Sequence, residues 1–184
     1  MNFNNVHYSW KPLMSEFNTD AFLAFKNEVL PQEKYYPEAD EVFRVFSMPL
    51  SEIKVVHLGS NSRIDPKEAE ISGLMLLPFS LTQGVSKDHT EYWEPFIKKV
   101  IYFIARYQPC IWLLPSTKAQ GFAANLPAKT IFNVLKYTDE TIQHIPINVS
   151  YNYVFKIYID FSHVNTLLEK KGLSKINFYK ILKS

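Results

Sequence analysis

The run Lys54-Val55-Val56-His57-Leu58 stops at Gly59 and opens into Ser60-Asn61-Ser62-Arg63. A buried parallel strand that ends in glycine and continues into small polar residues suits a loop that holds a ligand at the strand's carboxyl end. Two acids follow in the same loop, Asp65 and Glu68. Either can act as a general base, since a carboxylate within hydrogen-bond reach of a substrate or a water can take its proton. Each is also an ordinary solvated loop acid, and Asn61 suits a turn after a strand whatever its chemistry. His57 lies inside the apolar run and reads as a packed, hydrogen-bonded core residue. His89 reads as support for the loop before a helix, His163 as the exposed face of another, and His144 as a loop residue.

Composition narrows the chemistry. Net charge is +2 over 184 residues, so a strongly basic nucleic-acid footprint is absent and any such surface must come from local placement. The one cysteine, Cys110, sits in an apolar run and reads as a buried inert thiol. A disulfide framework and a cysteine-rich zinc site are excluded, and a reducing cytosol is expected. Hydrophobic content of 47% is enough for a sizeable core in one domain spanning residues 1–184. No apolar run approaches the roughly 20 residues that cross a membrane. The polar N-terminus lacks the apolar core of a signal peptide. No metal-ligand cluster and no nucleotide-binding glycine loop is visible, so no cofactor is expected. The expected state is a cytoplasmic monomer.

The elements that must position these residues follow from periodicity. Trp10, Leu13 and Phe17 suggest a short helix, and Phe22 to Leu30 a second, stopped by Pro31. Glu38 to Phe46 is predicted as a short amphipathic helix. Ile53–Leu58, Gly73–Leu77, Ile111–Leu114 and Thr130–Tyr137 read as strands. Trp93–Tyr107 is predicted as the main helix, with Phe96, Ile97, Val100, Ile101 and Ile104 along one side. Lys67–Glu70 allows one helical turn, Thr117–Ala124 a short helix, and Val149–Ile159 an added strand or an extended loop. Phe161–Lys171 is a helix closed by Gly172, and 173–184 a tail. Alternating strands and helices give an α/β fold: three layers, α/β/α, around a central, mostly parallel four-stranded sheet. The loops after Leu58, Leu77, Leu114 and Tyr137 then converge on the ligand side. Arg63, Lys67, Lys87, Lys118 and Lys156 lie in or near those loops, either as phosphate contacts or as solvated surface.

In this order of elements the chain resembles the uracil-DNA glycosylase superfamily. Tyr35-Tyr36-Pro37 through Val42-Phe43-Arg44-Val45-Phe46 is similar to the family's "IYPP…VF.AF", and Lys54–Gly59 to its "KVVILG". Gly73–Pro78 with Leu81-Thr82 looks like "GVLLLN…LT". His89, Trp93 and Glu94 resemble "H…GWE", and Ile111–Leu114 with Lys118-Ala119-Gln120 resembles "VFLLWG..AQ". Phe161, Asn165 and Gly172 match the last helix. The similarity runs from about Trp10 to Phe178.

The chemical motifs depart from the family's. Its water-activating loop reads "GQDPYH", and the aspartate position is Asn61 here. The long segment that carries the aromatic stacked on uracil and a proline-rich DNA-gripping loop is missing before Gly73. The amide that reads the uracil edge falls at Pro78, which has no side-chain hydrogen bond to offer. Discrimination for uracil would then be lost. The family's "HPSPL" motif aligns in two ways. One puts Asp139 at the histidine position, and the other puts His144 there, followed by Ile145-Pro146-Ile147.

What the resemblance implies is N-glycosidic hydrolysis on a nucleotide flipped out of duplex DNA. The thymine-DNA and mismatch-specific branch carries "GINPG", with asparagine at the same place, so Asn61 is compatible with holding the water. His144 is then the group that stabilises the departing base, and Asp65 or Glu68 is an alternative base to Asn61. Gly59, Ser60, Ser62, Leu76 and Pro78 are implied to line the base pocket. Arg63, Lys67 and Lys118 are implied to meet phosphates, with Ile147 and Tyr151 filling the gap in the duplex. The losses together enlarge the pocket. They suggest a bulky modified base, such as glucosylated hydroxymethylcytosine, and a role in anti-phage defence, as in phage-defence glycosylases of this fold. A glycosylase for mispaired thymine or ethenocytosine is a further option. The rival class is a glycosylase fold that binds DNA without catalysis.

Overall fold

The structure is a computed structural model that describes residues 3–15, 17, 20–59, 64–122, 124, 126, 134–136, 161 and 163–182, with backbone alone at 20, 21 and 134–136. Its centre is a four-stranded parallel sheet of β2 (Val55–Leu58), β3 (Leu74–Leu77), β5 (Ile111–Leu114) and β6 (Val134–Lys136), in the order β3-β2-β5-β6. Two further short strands, β1 (Tyr35–Tyr36) and β4 (Gln83–Gly84), pair antiparallel outside it.

Strand pleating divides the core into two. Val55, Leu74, Ile111 and Leu113 face one side. There they meet Ala69 of α3 (Pro66–Ser72), Val164 and Leu168 of α6 (163–170), and Phe178 and Ile181 of α7 (Phe178–Ile181). Val56, Leu58, Met75, Leu77, Trp112 and Leu114 face the other. There they meet α4 (Thr90–Tyr107) and the aromatic residues of the N-terminal segment. The register matches, since Val55 lies opposite both Leu74 and Ile111, and Val56 opposite Met75 and Trp112. Burial on both faces explains why β3 and β5 are unbroken apolar runs and β2 is broken only by His57. The expected three-layer α/β/α architecture with a four-stranded parallel sheet is the one observed.

The N-terminal segment is the aromatic half of the larger core. A turn at Tyr8–Trp10 leads into α1 (Lys11–Ser15), and α2 (Asp20–Ala24) continues as a π-helical stretch over Phe25–Val29. Phe17 lies 4.3 Å from Phe96 and 5.8 Å from Trp93, centroid to centroid. Trp10 donates its indole N–H to the Met48 carbonyl at 2.8 Å, which satisfies its one polar atom inside the core.

Four sequence expectations are corrected. Glu38–Phe46 is a chain of tight turns rather than an amphipathic helix. The Glu41, Arg44 and Phe46 amides donate to the carbonyls three residues back, and the stretch ends in a 3-10 turn at Arg44–Ser47. Burying Val42, Phe43 and Phe46 together outweighs helical propensity there. The single turn expected at Lys67–Glu70 is a seven-residue helix. The helix expected at Trp93–Tyr107 begins earlier, at Thr90, and the stretch before it holds a strand, since Gln83–Gly84 pairs with Tyr35–Tyr36. The tail after Gly172 is also structured. Ile176, Phe178 and Ile181 are buried, and Phe178 stacks on Phe161 with centroids 3.9 Å apart. The expected Gly172 cap is present: φ is 69°, its N–H meets the Glu169 carbonyl, and Leu173 N–H meets Leu168. Val149–Ile159 lies outside the described residues.

Candidate functional site

The site is built at the carboxyl end of β2. Gly59 has φ 113°, a conformation that a side chain would strain. A Cβ there would also lie 3.1 Å from the Phe79 ring. Its N–H donates to the Leu77 carbonyl at 2.8 Å, which ties the ends of β2 and β3 together. His57, fully buried, donates from Nδ1 to the Gly59 carbonyl at 3.2 Å, because a carbonyl only accepts. Burial pulls the His57 pKa down to about 4, so the imidazole is neutral at pH 7. The expectation of a hydrogen-bonded core histidine holds, and the bond it makes fixes the start of the loop.

Beyond that loop the chain re-enters at Ile64, whose bridge to Leu182 anchors it to the C-terminal segment. Asp65 then caps α3: its Oδ1 accepts from the N–H of Lys67 at 2.9 Å and of Glu68 at 3.2 Å. Pro66 occupies the first turn, where a missing N–H costs nothing, and Gly73 closes the helix in the left-handed conformation.

A cavity of about 640 Å³ opens beside these elements, lined by Gly59, Pro66, Glu70, Leu76 and Pro78 among others. It runs along the outer edge of β3 and is closed on the far side by Tyr36, Pro37, Val45 and Arg44. Three of the sequence-predicted pocket residues, Gly59, Leu76 and Pro78, are thus brought together. Lys67 is exposed in the first turn of α3. Lys118 lies in α5 (Thr117–Phe122), with Nζ 5.0 Å over the Phe79 ring and 3.5 Å from Thr90 Oγ1. It is not among the cavity's lining residues. Ser60, Asn61, Ser62, Arg63, Asp139, His144, Ile147 and Tyr151 lie outside the described residues.

Two side-chain clusters stand beside these residues. Arg44 Nη2 lies 3.4 Å from Glu70 Oε2, and Arg44 Nε 3.7 Å from Glu41 Oε2. Burial raises the Glu70 carboxyl above its ordinary range, and the Arg44 charge partly offsets this. The signal for Arg44 was its place in the Tyr35–Phe46 segment. Glu70 carried none, because only the fold brings it to Arg44.

The second group is a buried polar chain. Trp93 Nε1 donates to Thr82 Oγ1 at 2.7 Å, and Thr82 Oγ1 lies 2.9 Å from His89 Nδ1. His89 Nε2 lies 2.8 Å from Glu33 Oε1, whose other oxygen accepts from Ser86 Oγ at 2.6 Å. A neutral His89 protonated on Nε2 satisfies every link in one direction. Hydrogen bonds from Ser86 and His89 hold the Glu33 pKa at about 2. Gly84 covers this junction. A Cβ there would lie 2.5 Å from Glu33 Oε1 and 2.7 Å from His89 Nε2, so any larger residue would have to displace that pair. The chain locks the residues after Pro78 onto α4, as the sequence reading of His89 expected.

Cys110 is buried, with its thiol pushed up to about 12, which makes it inert as a nucleophile. Among the described residues there is no cluster of three or more His, Cys, Asp or Glu side chains that could hold a metal ion, and no helix long and apolar enough to cross a membrane.

No protein-family profile and no curated protein sequence matches the chain. Solved structures do. A mimivirus UNG variant in complex with UGI superposes with a TM-score of 0.71 at 13% identity, over 96% of this chain and 90% of that one. Mimivirus uracil-DNA glycosylase gives 0.70 at 11% identity, over 96% and 88%. UNG from Nitratifractor salsuginis gives 0.55 at 15% identity, over 74% and 84%. Identities this low speak to architecture, and the two mimivirus superpositions cover 96% of this chain: this chain has the uracil-DNA glycosylase fold.

Proposed function

We propose that the protein is a monofunctional DNA N-glycosylase that removes a bulky modified base, such as glucosylated hydroxymethylcytosine, from a flipped-out nucleotide and leaves an abasic site. The observation that carries this reading is the cavity at Gly59, bounded by Pro78 where the family has an amide reader. A site without that amide has no means of selecting uracil by its polar edge. A cavity of about 640 Å³ has room for more than a pyrimidine.

The chemistry needs a water held at the anomeric carbon and stabilisation of the departing base anion. Asn61, two residues beyond Gly59, is assigned to the water, where its amide oxygen orients the nucleophile. The engagement of Asp65 Oδ1 by two backbone N–H groups favours Asn61 over Asp65 in that role. His144 is assigned to the leaving base. Ser60 and Ser62 complete the pocket with Gly59, Leu76 and Pro78. Arg63, Lys67 and Lys118 are assigned to phosphates, and Ile147 and Tyr151 to the space vacated in the duplex. The partner is duplex DNA, and a monomer suffices because the pocket is formed within one chain. A part in anti-phage defence, in the cytoplasm, follows from that substrate class.

Incubation with glucosylated phage DNA followed by mild alkali tests this. Strand breaks are expected with the wild type and not with Asn61→Ala. The missing amide at Pro78 also suits a DNA-binding protein without catalysis. Binding that is equal in wild type and Asn61→Ala, with no breaks from either, would establish that reading instead.

A further inference from the structure

The cavity is longer than a base pocket needs to be. It follows β3 from Pro78 back to Leu74, a span of about 13 Å at 3.3 Å per residue. Pro66 stands near the Gly59 end, and Glu70 lies one helical turn, about 6 Å, further along α3. One end is therefore the proposed base site, and the other holds Arg44, Glu41 and Glu70.

We infer that this second end, formed by Arg44, Glu41 and Glu70, is a subsite for a hydroxyl-rich substituent, of hexose size, carried by the extruded base. The inference rests on the glycosylase reading for the base end alone. Its own support is the mixed sign of the polar groups. The Arg44 guanidinium only donates hydrogen bonds and the Glu41 and Glu70 carboxyl oxygens accept them, and all three groups line one cavity. A hydroxyl both donates and accepts, so a row of hydroxyls pairs with such a surface. A phosphate would meet two carboxylates, and an ammonium group would meet the guanidinium. Tyr36, half exposed on the wall where β1 pairs with Gln83 beyond Pro78, carries Lys34 Nζ 5.5 Å over its ring, which leaves one apolar face for the C–H side of a sugar ring. Val45, Leu74 and Leu76 are part of the apolar lining. An apolar cleft of this size with a few convergent polar groups is the usual form of a small-molecule site. The half-buried state of Glu70, which raises its carboxyl, means that it is poorly hydrated and gains from a ligand hydroxyl.

Two duplex oligonucleotides that differ at one base, hydroxymethylcytosine or its glucosylated form, test the subsite by binding and by base release. Wild type is expected to bind the glucosylated duplex at least ten-fold more tightly. Arg44→Met and Glu70→Gln are expected to reduce that ratio to near one while leaving affinity for the hydroxymethyl duplex unchanged. Tyr36→Leu, which touches no ion pair, is expected to reduce the ratio severalfold. It keeps the test open if an ion-pair variant fails to melt cooperatively. Arg44-dependent preference without base release would uphold the subsite and overturn the glycosylase reading. Base release at equal rates from both duplexes, or a preference that all three variants leave intact, would overturn the subsite and leave the glycosylase reading standing. No preference and no release would overturn both.

Discussion

At the scale of single residues, His57 and Gly59 set the geometry from which the loop departs. The His57 ring is neutral in the folded protein, with its pKa lowered from 6.5 to about 4 by burial. The unfolded chain therefore takes up a proton first as acid is added. The contribution of the neutral ring to stability is complete above pH 6.5 and is lost as pH falls from 6.5 to about 4. A shift of this size corresponds to something on the order of 3 kcal/mol. Glu33 acts lower on the scale. Its carboxyl is held down to about 2, so its contribution is present above about pH 4.5 and lost as pH falls from there towards 2. Urea denaturation at steps from pH 8 to pH 3 should show stability falling from pH 6.5. His57→Gln should flatten the part between 6.5 and 4. A wild-type curve level from pH 7 to pH 5 would contradict the buried neutral ring. Gly59→Ala should cost about 1–3 kcal/mol from backbone strain, read as a lower midpoint in the same experiment.

Among elements, α3 shows how sequence signals can be present and still be underread. Asp65 at the cap, Pro66 in the first turn and Gly73 at the end are each ordinary helix punctuation. Loop-like composition from Gly59 to Ser72 masked them. The cap makes a prediction that separates two roles for one carboxylate. Asp65→Ala should lower stability by about 1 kcal/mol and leave base release per folded molecule within about two-fold. Loss of release by orders of magnitude at a temperature where the variant is folded would move Asp65 into the chemistry. The strands were legible because residues buried on both faces are mostly apolar, as Ile111–Leu114 are throughout and Val55–Leu58 are except for His57. Glu38–Phe46 misled because three buried residues at close spacing fit a helix and a chain of tight turns equally well.

For the molecule as a whole, the least legible feature was long-range closure. Nothing local in residues 173–182 shows that they seal the second core. Asp65 N–H donates to the Ile181 carbonyl at 2.8 Å, Leu182 bridges Ile64, and Lys180 Nζ meets Glu68 Oε2 at 2.8 Å. The C-terminal segment thus holds the point where the chain re-enters after the β2 loop. Phe178→Ala should cost about 3–5 kcal/mol, because it removes a ring stacked at 3.9 Å on Phe161 from a closed core. A thermal midpoint within a degree or two of wild type would show that the segment is dispensable. The pairing of Arg44 with Glu70 was hidden for the same reason: 26 residues separate them, and only the fold brings them into one cavity.

The central claim is that Asn61 holds a water beneath the sugar of a bulky modified nucleotide, and it is tested by counting abasic sites. Glucosylated phage DNA treated with wild type should accumulate alkali-labile sites in proportion to time, and the free modified base should be recovered in equal amount. Asn61→Ala should slow this by at least a hundred-fold with DNA binding retained. Release of the base by Asn61→Ala at the wild-type rate, or no release by the wild type on DNA that it binds, would contradict the account.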